Sequence, residues 1–383
     1  MRIAIVHSFY TSVTPSGENT VVHAQVDALR KRGHEVLLAD RHTDVEQDRP
    51  FYSVRASLAA ANIAGPDPGP ALSEFQPDVV HVHNLFPNWG TRWLTAWGPK
   101  TVATLHNYRT ICARGTLWRD GNDCFECIDH SSAQSLKHGC YRDSTLRTLP
   151  LAWATRSYGK RSPLLNNAQK LIVLNSQSEA VFRKIAGPTK LRRIPNFVPR
   201  RTSTRGAFSS SEPRDWVYVG RLTSEKGIQW LIDNWPSNKF LNIVGSGPLE
   251  QLVKDKCRRY PTKFKYWGRL DSTETRSLIS ASAGLIIPSM WSEGIPTVAL
   301  EALEAGTPIA ISSKCSSAAE LTRHGGGVRL DVADGGAGIE RALDEIKSNS
   351  DIRQRAVETY ESSYSEEAWI SQIEPLYLQV AQM

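Results

Sequence analysis

Two glutamates eight positions apart, Glu293 and Glu301, sit in the run Ser292-Glu293-Gly294-Ile295-Pro296-Thr297-Val298-Ala299-Leu300-Glu301-Ala302. The run reads as a strand-end loop entering a helix. Eight residues of helix turn through about 800°, which returns to within about 80° of the starting face. Two carboxylates so placed can address one elongated ligand, and vicinal hydroxyls such as those of a sugar and a ribose are suitable partners because a carboxylate only accepts. Gly294 and Pro296 favour a tight turn, with Ile295 and Thr297 beside them, whose amides can meet ligand oxygens. The same pattern would also fit two ordinary helix glutamates.

A second set is cationic. Val219-Gly220-Arg221-Leu222-Thr223-Ser224-Glu225-Lys226-Gly227 follows one strand and opens a helix. Gly220 lets backbone pass close to a ligand, Arg221 offers a planar fork, and Lys226 offers a point charge, a combination suited to a diphosphate. Cations fixed in advance stabilise the negative charge that grows on a departing phosphate oxygen. A further turn, Gly245-Ser246-Gly247-Pro248, again joins a strand to a helix, and alone it is also what a plain connection looks like.

Two constellations lie earlier in the chain. His106 ends an apolar run beside Asn107 and could donate or accept a hydrogen bond toward a ligand, or be a satisfied structural histidine. Cys112, Cys124, Cys127 and Cys140 fall within 29 residues, and Cys124-Phe-Glu-Cys127 has the spacing at which one turn presents two thiolates to a tetrahedral ion. A structural zinc clip is the leading reading; a disulfide suits a reducing compartment poorly, and free thiols in a compact loop are the alternative. Beyond them, residues 145–161 interleave Leu146, Leu149, Trp153 and Tyr158 with Arg147, Arg156, Lys160 and Arg161. Such a helix could rest on an anionic bilayer, although packing on a sheet is the more ordinary use.

The elements that must hold these residues alternate. Apolar runs at 3–6, 36–39, 79–82, 101–105 and 171–174 read as buried parallel strands, and 18–32 reads as a helix closed at Gly33. After a linker rich in Arg, Ser, Thr and Gly through Pro213, the alternation restarts with strands at 217–219, 241–244, 264–267, 285–287 and 309–311. Helices are predicted at 227–234, 249–259, 273–281, 297–304, 337–347 and 366–380. The reading is α/β, with two doubly wound Rossmann-like domains facing across a cleft. Residues 1–198 plus 366–383 form the first domain, with a Cys-rich insertion at 112–140, and 199–365 form the second.

Composition sets the outer bounds. The 383 residues are 40% hydrophobic and 22% charged, which suits a globular chain of two domains. No secretory signal and no uncharged apolar run of spanning length is apparent, so a cytoplasmic location is expected, with peripheral contact at the inner face of the membrane as a refinement. Residues 136–193 hold twelve Lys and Arg against two acids, Asp143 and Glu179. An anionic surface or plain solvation explains that excess better than nucleic acid, since no recognition motif accompanies it.

The Gly220-Arg221-Leu222 turn with Lys226, the Gly245-Ser246-Gly247-Pro248 turn and Glu293-x7-Glu301, in this order, resemble glycosyltransferase family 4. The likeness extends to Pro15-Ser16-Gly17-Glu18 and His106-Asn107 and so covers nearly the whole chain. It implies the GT-B fold and transfer of a hexose-type sugar from an NDP-sugar, UDP or GDP foremost, with retention at the anomeric carbon. The acceptor would be a glycan, glycolipid or small molecule. It also implies that no metal or cofactor is required for catalysis, and that the leaving phosphate takes the acceptor's proton, so no protein base is demanded. Carried over, Arg221 and Lys226 hold the diphosphate, Glu293 the donor sugar and Glu301 the ribose. Gly220, Gly245 and Gly247 line the donor site, Arg269 and Leu270 border the base, and Gly17 approaches the phosphate. Ser16 stands where the family has a second glycine, and the loop after Glu293 reads Gly-Ile-Pro-Thr, departures that bear on phosphate and sugar contacts. An NDP-sugar epimerase of the same architecture and a non-catalytic sugar-binding assembly protein are the competing readings, since fold alone does not fix reaction.

Overall fold

The structure, a computed structural model, describes residues 1–11, 17–201 and 215–382. Pro15 and Ser16 of the N-terminal loop and most of the expected linker lie outside the described residues. Contacts divide the chain into two units, Met1–Arg119 with Asp123–Asn196 and Trp369–Met383, and Phe197–Ala368 with Asp120–Asn122.

The first unit contains strands β1 (Arg2–Phe9), β2 (Glu35–His42), β3 (Val79–Asn84) and β4 (Thr101–Leu105). Two-residue strands β5 (Trp118–Arg119) and β6 (Asn122–Asp123) lie in the cysteine-rich insertion, and β7 (Lys170–Val173) and β8 (Leu191–Arg193) follow it. Six of these form a parallel sheet in the order β2-β1-β3-β4-β7-β8. Ile3 pairs with Val36 on one side and Val79 on the other. Central strands are apolar on both faces because helices cover both; Ile3, Ala4, Ile5, Val79, Val80 and Val82 are fully buried. Helix Gly17–Lys31 connects β1 to β2 and ends at Gly33, whose φ of +84° only glycine adopts without strain.

The second unit holds β9 (Trp216–Val219), β10 (Leu241–Val244), β11 (Phe264–Gly268), β12 (Gly284–Ile287), β13 (Ile309–Ser312) and β14 (Gly327–Leu330). Their order, β11-β10-β9-β12-β13-β14, is that of a dinucleotide-binding sheet. The order reverses at β9, so the connections leaving β9 and β12 depart to opposite sides and open a crevice beyond their carboxyl ends. Trp216, Leu241, Ile243 and Ile286 centre the core below that crevice.

Two expectations change. Each sheet has an edge strand that periodicity does not reveal, β8 and β14. The helix predicted across 145–161 is Thr145–Ala154, because Ser157, Tyr158 and Gly159 adopt left-handed backbone at φ 57°, 60° and 73° and stop it. The terminal helix Glu366–Ala381 buries Trp369, Ile370, Ile373, Leu376, Tyr377 and Val380, and from Trp369 onward it belongs to the first unit. There the Tyr377 hydroxyl lies 2.6 Å from His81 Nδ1, and Glu374 meets His34 at 3.1 Å.

Candidate active site

The connections after β9 and β12 touch. Gly227 has φ +73°, and a Cβ there would collide with the Pro288 carbonyl oxygen, so only glycine lets the two segments pass. Met290 N–H donates to the Glu225 carbonyl at 2.8 Å. That backbone link delivers Lys226 to Glu293, and their side chains form an ion pair with 18% and 12% of each exposed. Ser289 Oγ donates to Glu293 Oε2 at 2.7 Å, and the Ser316 hydroxyl donates to the Glu293 carbonyl. Lys226 Nζ also lies 5.9 Å from the centre of the Trp291 ring. Cys315 packs against the same backbone, and burial, with the Glu293 charge second, pushes its thiol up to about 12.

Glycines close the other side of the crevice. A Cβ on Gly245, whose φ is +135°, would run into the Gly220 carbonyl oxygen, and one on Gly247 would lie 2.6 Å from the Leu222 carbonyl oxygen. Gly220 N–H donates to Val244 O at 3.1 Å, Leu222 N–H to Ser246 O at 2.9 Å, and Gly245 N–H to Gly268 O at 2.8 Å. Three strand-end turns are thereby stitched into one backbone surface. The Tyr218 hydroxyl, buried beneath it, donates to the Arg221 carbonyl at 2.9 Å; burial, then Glu293 and Glu225, raise its pKa.

Other residues singled out in the sequence stand differently. Arg221 is 68% exposed and pairs with Glu225 at 3.4 Å. Glu301 does not join the Lys226–Glu293 pair in any contact the structure gives; burial raises its pKa, Arg276 lowers it and Glu304 raises it, and Arg276 is bound to Glu304 at 3.0 Å. Ile295 and Pro296 are buried, Gly294 and Thr297 half-buried, and no side chain caps the helix Thr297–Glu304. The Ala299 amide donates to the Pro296 carbonyl at 3.0 Å, which leaves the Thr297 and Val298 amides as the ones that could meet an anion. Arg269 is exposed and Leu270 half-buried after β11, and Gly17 is exposed at the start of its helix.

In the first unit, His106 Nε2 lies 2.9 Å from His83 Nδ1. The His83 ring stacks on His106 and lies tilted against His81 with ring centres 4.2 Å apart; His81 Nε2 reaches Thr104 Oγ1 at 2.8 Å, and the His7 ring sits edge-on 6.2 Å from His83. Burial drives all four below the ordinary histidine range, His7 to about 4 and His81 and His106 to about 3, so they are neutral at pH 7. His106, Asn107, Asn84 and Arg109 share a cavity of about 90 Å³. Glu18 stands near Asn84 and Arg109, and burial pushes its carboxyl up to about 7 against both.

Cys112, Cys124, Cys127 and Cys140 all line one cavity of about 20 Å³. Burial, with the neighbouring thiols adding to it, pushes Cys127 up to about 12. The donor set suits zinc, whereas among the described residues no three histidine, cysteine or carboxylate side chains already stand in metal-binding geometry.

Ser289, Ser316, Tyr218 and Trp291 were not singled out by sequence. Ser289 and Trp291 flank the Glu293 motif, a signal of position only; Tyr218 and Ser316 reach the site through the sheet order.

Comparison with known proteins matches two family models along the chain. The family model described as Glycosyltransferase Family 4 matches residues 15–201, and that described as Glycosyl transferases group 1 matches residues 200–362. The chain belongs to glycosyltransferase family 4, and it is a transferase of GT-B fold. An uncharacterized glycosyltransferase of Methanocaldococcus jannaschii is 36% identical over 104 residues, 25% of this chain and 26% of that protein. Glycogen synthase of Mycobacterium tuberculosis is 25% identical over 403 residues, 90% of this chain and 86% of its own. Among solved structures, sucrose-phosphate synthase from Thermosynechococcus elongatus superimposes with TM-score 0.67 at 17% identity, covering 99% of this chain and 98% of that one. Anabaena HepE in complex with UDP-glucose gives 0.61 at 13%, covering 99% and 100%.

Proposed function

We propose that this enzyme transfers a hexose-type sugar from a nucleoside-diphosphate sugar to an acceptor hydroxyl with retention at the anomeric carbon. The observation that carries the reading is the Lys226–Glu293 pair at the point where the second sheet reverses its order. An ammonium has three donors, and Glu293 occupies one, so Lys226 can hold diphosphate oxygens while still anchored. Each carboxylate oxygen of Glu293 has room for a second hydrogen bond, which lets it accept from sugar hydroxyls with Ser289 fixing its orientation. Arg221 supplies a second cation to the diphosphate, and the uncapped amides at Thr297 receive the same charge. As the sugar–phosphate bond breaks, these fixed positive groups stabilise the leaving oxygen. Glu301 takes the ribose, Arg269 and Leu270 border the base, and the first unit's His106 orients the acceptor or donor sugar. The UDP-glucose bound by HepE makes a uridine donor the first to test.

The cysteine quartet is proposed to bind one structural zinc, with no part in the transfer.

A thermal-shift series with UDP-, GDP-, ADP- and TDP-sugars should single out one base, because a ligand that binds only the folded state raises its stability. Incubation with that donor and an acceptor should then give a product of unchanged anomeric configuration. Conversion of the donor without acceptor would assign the epimerase reading, and a shift without turnover the binding-protein reading; either overturns the proposal.

A further inference from the structure

Helix Thr145–Ala154 has two apolar faces. It buries Thr148, Leu151, Ala152 and Ala154 against the first unit. On the opposite side Leu146, Leu149 and Trp153, at i, i+3 and i+7, are 80%, 53% and 51% exposed. Helix Tyr52–Ala60 packs against it and brings Phe51, Val54 and Leu58, of which Phe51 is 81% exposed. A lone exposed leucine is ordinary, but six exposed large apolar side chains on two touching helices and the residue that opens one of them exceed a scatter of single surface residues.

The charge around this ledge states what that is. Residues 136–161 carry six Lys and Arg, among them the exposed Arg142, Arg147, Lys160 and Arg161, against the single acid Asp143. The Arg156 guanidinium lies 3.9 Å over the Trp153 ring, placing a cation on the indole itself. On the second helix Arg55 and the preceding Arg49 share the buried Glu46 with Arg41, so that acid is over-neutralised, leaving Asp44 and Asp48 as the remaining negative groups. A second copy would set this cationic rim against itself in a two-fold contact, which like charges oppose. An anionic lipid surface accepts both parts: the aliphatic and indole groups enter the headgroup boundary, and each nearby cation adds to the attraction.

We infer that this two-helix ledge docks the enzyme peripherally on an anionic bilayer. Among the described residues no helix is long and apolar enough to cross one, so the contact is with the surface. The inference does not depend on which sugar is transferred.

Vesicle sedimentation of the full chain tests it. Binding is expected to phosphatidylcholine vesicles containing phosphatidylglycerol, to fall as salt rises, and to be weak on phosphatidylcholine alone. The triple change Leu146→Ser, Leu149→Ser, Trp153→Ser should weaken binding at least about tenfold, since each removes apolar area that enters the interface. Arg147→Glu with Lys160→Glu should weaken it without touching the apolar face. All five positions are exposed, and an unchanged unfolding temperature would verify folding. No binding to anionic vesicles, or binding indifferent to both variants, would overturn the inference. So would a dimer in light scattering that the triple variant dissolves, which would give the ledge to a second copy.

Discussion

Lys226 and Glu293 lie 67 residues apart in the chain and form an ion pair across the adjoining connections that follow β9 and β12. Neither residue alone fixes the geometry; the link from Met290 N–H to the Glu225 carbonyl holds the two backbones in register.

Replacing Lys226 by Met removes the cation and leaves Glu293 with only Ser289. Steady-state kinetics should show kcat/KM falling by about 10²–10³, the scale of removing one preorganised charge-stabilising group. Glu293→Gln keeps an acceptor toward Ser289 and should lower kcat more than it raises KM. Wild-type kinetics in either variant would remove the pair from the chemistry.

The clustered buried histidines predict acid sensitivity. An unfolded histidine titrates near 6.5, whereas His7 waits until about 4 and His81 and His106 until about 3. Their neutral burial therefore costs nothing above pH 6.5 and erodes stability progressively as pH falls from 6.5 toward 3. At pH 5 each contributes a loss of about 2 kcal/mol, because the unfolded chain binds the proton that the folded one refuses. Urea unfolding at pH 7.5 and pH 5 should show that drop, and His81→Gln should shrink it.

How much of this was legible follows from the chemistry of each element. The central strands announce themselves because burial on both faces demands an unbroken apolar run. Strand β8 is Leu-Arg-Arg and β14 carries an exposed Arg329; edges face water on one side and lose that signal. The glutamate, lysine and glycine positions could be read from spacing, since local turns determine them. Tyr218 and Ser316 could not, because sheet order brings them to the site, and Ser289, four residues before Glu293, carries no spacing signal of its own. Leu146, Leu149 and Trp153 read as either core or surface until their helix was seen to bury its other side.

Two glycines at strand ends should respond unequally to alanine. At Gly245 the added methyl meets the Gly220 carbonyl, so Gly245→Ala should cost more than about 3 kcal/mol and abolish donor binding. At Gly268, with φ +70° but nothing within 4 Å, the cost should be about 1 kcal/mol. Denaturant melts of the two variants compare them directly; equal losses would refute the close-packed turn.

Purified protein should carry close to one zinc per chain by elemental analysis, and Cys127→Ser should lower the content and loosen the insertion to proteolysis while donor binding persists. Metal far below stoichiometry would leave the quartet as free thiols.

The helix Glu366–Ala381 imposes an order on biosynthesis. Tyr377 meets His81 at the heart of the first sheet, yet it leaves the ribosome some three hundred residues later. The first unit must wait, with a groove for this helix unfilled, until the second has been translated. Truncation before Trp369 would accordingly damage the unit made first.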